Sequence, residues 1–251
     1  MKLLRDTLVV FAHQFGLTVR SPAWLVIGIV QPLLYLGLFL PLLRNALGIA
    51  TEAEAAALFV PGLLVLLLTG ASAYAGVGLI SDVRNGVLDR CQVSSVSRSA
   101  LLLGRVLRDV VSYLFQAGLL IVVAVAIGMR PHLPGVLASL AVLGLVAAGL
   151  SAGSHVLALG ASHEGAMTGL LQLLTLPVLL LSGIMIPLTF APGWMQAIAT
   201  VNPLAHVVTG TRELFAGRLA SGPAYLAVAV ALGMALVLVG GATRRFAVRL
   251  R

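Results

Sequence analysis

The sequence predicts an all-α polytopic membrane protein, and three observations lead to this fold class. Hydrophobic residues make up 60% of the 251 residues and charged residues only 10%, far below the share of about a quarter in soluble domains. The mean hydropathy is +1.08. Six apolar runs are long enough to cross a bilayer as helices of about 20 residues. They lie at 23–43, 57–80, 108–128, 135–160, 167–186 and 223–241.

Basic residues are unevenly distributed between the two sides that six spans define. Both termini, a polar insert at 81–109 and a turn at 161–166 fall on one side with twelve Lys and Arg residues, while the other side has four. Cytoplasmic loops carry such an excess. Arginine supplies fifteen of the sixteen basic residues, a bias typical of GC-rich bacterial genomes. We therefore predict a multi-pass protein of a bacterial plasma (inner) membrane with both termini in the cytoplasm.

Two segments outside the spans have an amphipathic pattern. Residues 2–20 place apolar side chains at helical spacing opposite most of the polar ones, which predicts a helix lying in the membrane interface. In the insert at 81–109, the charges from Ser97 onward fall at 98, 105, 108 and 109, also at helical spacing. This pattern predicts a helix along the membrane surface that turns into the third span. The alternative is a solvated loop that only sets orientation.

The stretch between spans five and six is neither polar enough for a free loop nor long enough to span twice. Prolines and glycines divide residues 187–222 into short pieces. We expect 188–218 to form short helices or a re-entrant hairpin on the extracellular side, packed against protein. The whole chain, 1–251, is expected to be one transmembrane domain.

Several kinds of chemistry are not expected in this chain. A single cysteine, Cys91, excludes a disulfide within the chain, and the five histidines lack metal-ligand spacing. No Walker A sequence occurs, and the only lysine is Lys2, so any ATPase must be another chain. The net charge of +8 is explained by loops that face anionic lipid, so nucleic acid is not an expected partner. Asp109 and Glu164 are assigned to span edges, which argues against an ion-coupled transporter.

A few polar residues within the spans are candidates for function. The glutamines Gln31, Gln116 and Gln172 either connect helices or line a substrate path. His155 either makes a hydrogen bond within the bundle or relays protons, and the first is favoured. Ser151 lies in GLSAG at 149–153, which matches the G-x-S-x-G hydrolase pattern but also the G-x-x-x-G packing pattern. Packing is favoured, because a helix offers no strained turn for a nucleophile.

Two groups of motifs resemble those of ABC-2 type permeases. The first is DVRNGVLDR at 82–90, followed by VSR at 96–98 and LGR at 103–105. The second and more specific group is LSGIMIP at 181–187, PGWM at 192–195, VNPL at 201–204, Arg212-Glu213 and Gly217. The resemblance covers nearly the whole chain and is strongest to drug- and antibiotic-export permeases of the daunorubicin-resistance type. The chain departs from the family pattern at Arg84 or Asn85, at Val87 and near Ser95, which bears on contacts in the cytoplasmic insert.

The resemblance implies a non-enzymatic permease subunit that works with two ATPase subunits and pairs with a second copy of itself. ATP and Mg²⁺ would bind only the ATPase, which would dock on 2–20 and 81–109. A short coupling helix around 87–93 would transmit its movement. The implied coupling residues are Arg84, Gly86, Val87, Leu88, Asp89, Arg90, Val93, Arg98 and Arg105.

The resemblance also implies a substrate path and an outer gate. The path would lie between two copies and include Gln31, Gln116, Gln172, Ser151 and His155. The extracellular gate would include Pro187, Pro192, Trp194, Asn202, Pro203, Arg212 and Glu213. We expect export of a hydrophobic drug, antibiotic or lipid-like substrate by alternating access. The alternatives are a permease for lipid-linked polysaccharide, disfavoured by an aromatic content of only 6%, and then an intramembrane serine hydrolase.

Overall fold

The computed structural model describes residues 2–20, 22–85, 97–161, 163–184 and 188–249, and in these ranges it is helical without strands, which confirms the all-α prediction. The helices are α1 (Lys2–Val19), α2 (Pro22–Leu47), α3 (Glu52–Ala73), α4 (Val77–Arg84), α5 (Arg98–Ala126), α6 (Leu133–Gly160), α7 (Glu164–Leu180), α8 (Gly193–Ala199), α9 (Pro203–Phe215) and α10 (Gly222–Arg249). A 3-10 turn, Leu188–Phe190, precedes α8.

Four helical segments of the described chain are long and apolar enough to cross a membrane. They are Glu52–Arg84, Ser99–Ala126, Leu133–Gly160 and Gly222–Phe246. Helix α7 is apolar but has only 17 residues, because it ends at Leu180 whereas the apolar run continues to Ile186. Helix α2 has 26 residues and contains Pro32 and Pro41. The structure is therefore that of a helical membrane protein.

The second predicted span is interrupted where α3 gives way to α4. The backbone N–H of Gly76 donates to Ser154 Oγ at 2.9 Å, and Ser154 Oγ donates to the carbonyl of Ala73. A Cβ on Gly76 would lie 2.2 Å from the carbonyl oxygen of Ser154. Only glycine allows the interruption to pack this closely on α6.

Helix α5 is continuous from Arg98 to Ala126. The surface helix predicted from Ser97 and the third span are therefore one continuous helix. Ser97 begins the helix by accepting a hydrogen bond from the backbone N–H of Ala100 at 3.3 Å. Helix α1 packs on the first turns of α5, where Val10 lies against Gly104.

The core consists of two hydrophobic clusters. The larger joins α2, α3, α5, α6, α9 and α10, and it buries the Tyr113 ring, whose hydroxyl donates to the carbonyl of Leu64 at 3.3 Å. The smaller joins α4, α5, α6, α7 and the last turns of α10 around Leu79, Leu102 and Phe246. Between helices the chain turns tightly, with Gly48 and Gly128 at positive φ (64° and 111°), a conformation that favours glycine.

Candidate functional site: a cavity lined by three glutamines

A cavity of about 600 Å³ opens between α2, α3, α5 and α7. Most of its wall is aliphatic, with Leu63, Leu66 and Leu67 from α3 and Leu176 and Leu179 from α7. Its volume is in the range of sites for drug-sized ligands. The remaining lining residues are Gln31, Pro32, Tyr35, Gly70, Ala71, Tyr74, Gln116, Gln172 and Thr175.

The three span glutamines all reach this cavity. Gln31 comes from α2, Gln116 from α5 and Gln172 from α7, so three separate helices contribute one carboxamide each. Gln116 is buried, with 5% of its surface exposed, while the other two are exposed. A carboxamide both donates and accepts hydrogen bonds. The arrangement can bind an apolar molecule and orient its polar groups without a fixed charge.

Ser151 and His155 do not line the cavity and instead belong to a buried polar cluster between α5 and α6. The Ser151 hydroxyl donates to Asp109 Oδ2 at 2.5 Å, and the Arg108 guanidinium binds Asp109 Oδ1. His155 is fully buried, and its Nδ1 lies 2.8 Å from the backbone oxygen of Ser151. Its Nε2 lies 4.0 Å from Asp109 Oδ2 and has no hydrogen-bond partner among the described residues.

This cluster lacks the geometry of a hydrolase. Ser151 is completely buried in the middle of a continuous helix, and its hydroxyl proton is directed to a carboxylate. His155 Nδ1, the nitrogen nearer to the serine hydroxyl, is 3.4 Å from it and closer to the backbone oxygen. The arrangement fits hydrogen bonding that holds α5 on α6.

The residues predicted to couple to an ATPase fall into three groups. Gly86, Val87, Leu88, Asp89, Arg90 and Val93 lie outside the described residues, as does the side chain of Arg98. Arg84 is exposed at the end of α4. Arg105 was predicted for the docking surface, but the structure buries it to 7% exposure, with its guanidinium 2.6 Å from Asp82 Oδ2. This ion pair connects α4 to α5.

Two residues of the predicted gate bind the end of α7 and the segment that follows it. Asn202 caps α9 by accepting from the backbone N–H of Leu204 at 3.0 Å, and its Nδ2 donates to the carbonyl of Val178 at 2.9 Å. Arg212 Nη2 donates to the carbonyls of Gly183 and Ile184, at 2.9 and 3.1 Å, and its Nε donates to that of Leu58 at 3.2 Å. Burial lowers the pKa of Arg212 to about 10, so this guanidinium remains charged at neutral pH.

The other gate residues are more peripheral. Pro192 begins α8, Trp194 is 65% exposed on it, and Pro203 occupies the first turn of α9. Glu213 accepts two hydrogen bonds from Arg218, at 2.5 and 2.7 Å, which lower the pKa of its carboxyl. Pro187 lies outside the described residues. The short helices predicted for 188–218 are present as α8 and α9.

Sequence reasoning missed Asp82 and Asp109 as the ion-pair partners of Arg105 and Arg108. Asp109 was assigned to a span edge, yet its side chain is only 10% exposed and contacts α6. Asp82 was noted only as the first residue of the family motif at 82–90. The sequence places opposite charges close together at 105–109 in a chain with only eight acidic residues, but this pattern does not show which residues pair or whether they are buried. Tyr35 and Tyr74, which line the cavity, were also not singled out.

Comparisons with known proteins fit a bundle of this kind. The family model of the ABC-2 type transporter matches residues 5–216. A daunorubicin resistance ABC transporter permease protein, DrrB1, of Streptomyces coeruleorubidus is 30% identical over 220 residues, 86% of this chain and 77% of that protein. A putative transport permease, ycf38, of Cyanophora paradoxa is 31% identical over 78% of this chain and 69% of its own. A probable multidrug ABC transporter permease, YbhR, of Escherichia coli K12 is 24% identical over 62% of this chain and 43% of its own.

A helical bundle with membrane-spanning segments and an apolar cavity lined by amides defines an integral membrane protein suited to transport. The chain belongs to the ABC-2 type transporter family, as its motifs predicted. It is a transmembrane subunit of an ABC transporter, and such permease subunits are not themselves enzymes.

Proposed function

We propose that this chain is the permease subunit of an ATP-driven exporter for a hydrophobic drug, antibiotic or lipid-like substrate. The main support is the convergence of Gln31, Gln116 and Gln172 on one cavity with otherwise largely aliphatic walls. An apolar substrate with a few polar groups matches such a lining. The relatives named for daunorubicin resistance and for multidrug transport point to the same substrate class.

The proposed topology is that of the sequence analysis. In it α2, α3 with α4, α5, α6, α7 and α10 are the six spans, α1 lies in the membrane interface, and both termini are cytoplasmic in a bacterial inner membrane. Helices α8 and α9 then lie on the outer side, where Asn202 and Arg212 bind the end of α7. Reporter fusions after Arg251 and within 86–96 should read cytoplasmic, and one at Thr200 should read external. An external reading for 86–96 would reverse the topology.

Energy for transport enters from a second chain in this proposal. Two ATPase subunits bind ATP and Mg²⁺ and dock on α1 and on the insert between α4 and α5. The Asp82–Arg105 pair, in which Arg105 is buried and Asp82 is partly exposed, would carry movement of α4 into α5. Two copies of the permease alternate between inward- and outward-open states, with differing contacts at the docking surface.

Filling the cavity tests whether it is the substrate path. Gly70 lines the cavity, and an added Cβ there meets no atom within 4 Å, so Gly70→Leu should occupy the space without displacing a helix. We expect ATP-driven daunorubicin uptake into inside-out vesicles, with the co-purifying ATPase present, to fall by about tenfold or more. This corresponds to about 1.4 kcal/mol or more of lost binding.

Two further variants make this test specific. Gly118→Leu is the matched control, because Gly118 also has no atom within 4 Å of an added Cβ and does not line the cavity. Gln116→Leu removes one carboxamide and should raise KM by roughly two- to tenfold, the worth of about one hydrogen bond. Normal uptake in Gly70→Leu, or equal losses in Gly70→Leu and Gly118→Leu, would show that the substrate takes another path.

A further inference from the structure

A second hollow, separate from the glutamine-lined cavity, lies on the side of the bundle where α6 and α10 meet. It has a volume of about 420 Å³ and is lined mainly by aliphatic side chains, among them Leu157, Leu171, Val237 and Leu238. We refer to it as the α6–α10 groove. Its single charged lining residue among those described is Arg245, in the last turns of α10.

Two glycines leave the groove open. A Cβ on Gly241 would meet no atom within 4 Å, and one on Gly153 would meet only Leu238 Cδ2, at 3.8 Å. The Ser154 hydroxyl, which also borders the groove, is already bound to the backbone at Gly76 and Ala73. The wall therefore presents an apolar surface that suits a hydrocarbon chain.

Arg245 lies where a lipid headgroup would be. The apolar run at 223–241 ends four residues before Arg245, so in the proposed topology Arg245 is at the membrane boundary. Phe246 is buried in the smaller core cluster, whereas Arg245 is exposed. Arg245 has no ion pair with another described residue, so its charge is available to a ligand.

From this geometry we propose that the α6–α10 groove binds one anionic phospholipid, with an acyl chain along Leu157 and Val237 and its phosphate on Arg245. An acyl chain gains no hydrophobic energy by leaving the bilayer for the groove, so selectivity must come from the headgroup. A guanidinium matches the phosphate geometry with two parallel hydrogen bonds. Basic pockets between transmembrane helices bind anionic headgroups in this way.

Native mass spectrometry of the full-length protein measures this binding directly. The probes are phosphatidylglycerol and phosphatidylcholine with identical acyl chains, added to delipidated protein. One arginine near the surface is worth about a fivefold preference, so phosphatidylglycerol should be retained about five times more strongly. Arg245→Gln should remove this preference. Arg244→Gln should largely keep it, because Arg244 is also exposed but does not line the groove.

A second pair of variants tests the acyl-chain site. Gly241→Leu should fill the groove and lower retention of both lipids, whereas Gly233→Leu, another exposed position on α10 with no atom within 4 Å of an added Cβ, should not. Equal retention of the two lipids, or equal effects of Arg245→Gln and Arg244→Gln, would overturn the proposal. Unchanged lipid retention in Gly241→Leu with a loss of dimers would also overturn it, because the groove would then hold a second copy of the chain.

Discussion

Helices α6, α9 and α10 approach one another through glycines, whereas α2 and α7 expose rows of leucines. A Cβ on Gly135 of α6 would lie 1.8 Å from the carbonyl oxygen of Leu214, and one on Gly149 would lie 3.1 Å from that of Met234. Backbone contact of this kind is possible only without side chains. We refer to α6, α9 and α10 as the packed half.

Helices α2 and α7, the open half, have the opposite character. Leu34, Leu38 and Leu42 are 56%, 70% and 60% exposed along one face of α2. On α7, Leu173 is 71% exposed, and only Met167 and Leu171 are buried. The end of α7 is nevertheless held by two hydrogen bonds. Asn202, the N-cap of α9, donates to the carbonyl of Val178, and Arg212 of α9 donates to the carbonyl of Gly183 just after α7.

The difference indicates which helices can move. Closely packed helices have few alternative arrangements, because a close-packed interior transmits a displacement rather than absorbing it. A helix with few buried side chains that is hydrogen-bonded near one end can pivot at low cost. Helix α7 fits this description, whereas Leu36, Leu40 and Leu43 of α2 are buried in the larger core cluster. The glutamine-lined cavity has α7 among its walls, so a pivot of α7 would change its shape while the packed half remains in place.

The largest expected effect comes from adding one methyl group to the packed half. In Gly210→Ala, the new Cβ would lie 2.3 Å from Ala227 Cβ and 2.7 Å from the carbonyl oxygen of Pro223, so α9 and α10 must separate. Overpacking of this kind costs about 1–3 kcal/mol or more. We expect a clear loss of thermal stability in detergent and lower yield of folded protein.

The matched change in the open half is Gly169→Ala. An added Cβ at Gly169 of α7 meets no atom within 4 Å, and alanine is a better helix former by up to about 1 kcal/mol. This variant should be as stable as the original or slightly more so. If both alanine variants lost the same stability, the distinction between the halves would be wrong.

A smaller effect is expected where the two halves are joined. Arg212→Lys keeps the charge but cannot donate to the carbonyls of Leu58, Gly183 and Ile184 at once. A hydrogen bond to a charged group is worth about 1.5–3 kcal/mol, and part of this is recovered by the lysine. We expect faster hydrogen exchange at the end of α7, with α6 and α10 nearly unchanged. Equal acceleration in all three helices would mean that Arg212 supports the whole fold.

The sequence was sufficient for the helical membrane fold and the family, and it singled out the three glutamines that line the cavity. The apolar runs and the family motifs extend over nearly the whole chain, and a glutamine within an apolar run is easily identified. The fate of Arg105 and Asp109 could not be predicted, because a stripe of charges at helical spacing is the same pattern whether it faces water or another helix. Ser151 and His155 share one face of α6, but spacing alone does not tell which neighbour that face contacts.

The ends of the helices could also not be predicted from the hydrophobic pattern of the sequence. Hydrophobicity extends span five to Ile186, whereas α7 ends at Leu180 because the chain turns at Gly183, where φ is 69°. The hydrophobic pattern also did not predict the length of α5, because its charged first turns and its apolar later turns belong to one continuous helix. Composition indicates which side chains can enter a membrane, but helix continuity depends on backbone hydrogen bonds and on packing against α1 and α6.

The smallest expected effect concerns the exposed edge of the packed half, where Glu213 pairs with Arg218. Two hydrogen bonds from Arg218 lower the pKa of the Glu213 carboxyl below its ordinary value of 4.5. A lowered folded-state pKa stabilises the protein above the unfolded value, and this contribution is lost as the pH falls through the folded value. Arg218 is 61% exposed, so water and salt screen the pair, and its contribution is small.

Glu213→Gln should therefore lower the melting temperature slightly at pH 7, less so in high salt, and the difference from the unmodified protein should disappear well below pH 4.5. A difference that grows on acidification would show instead that the protonated carboxyl is the stabilising form, and the edge of the packed half would then be held by contacts other than this ion pair.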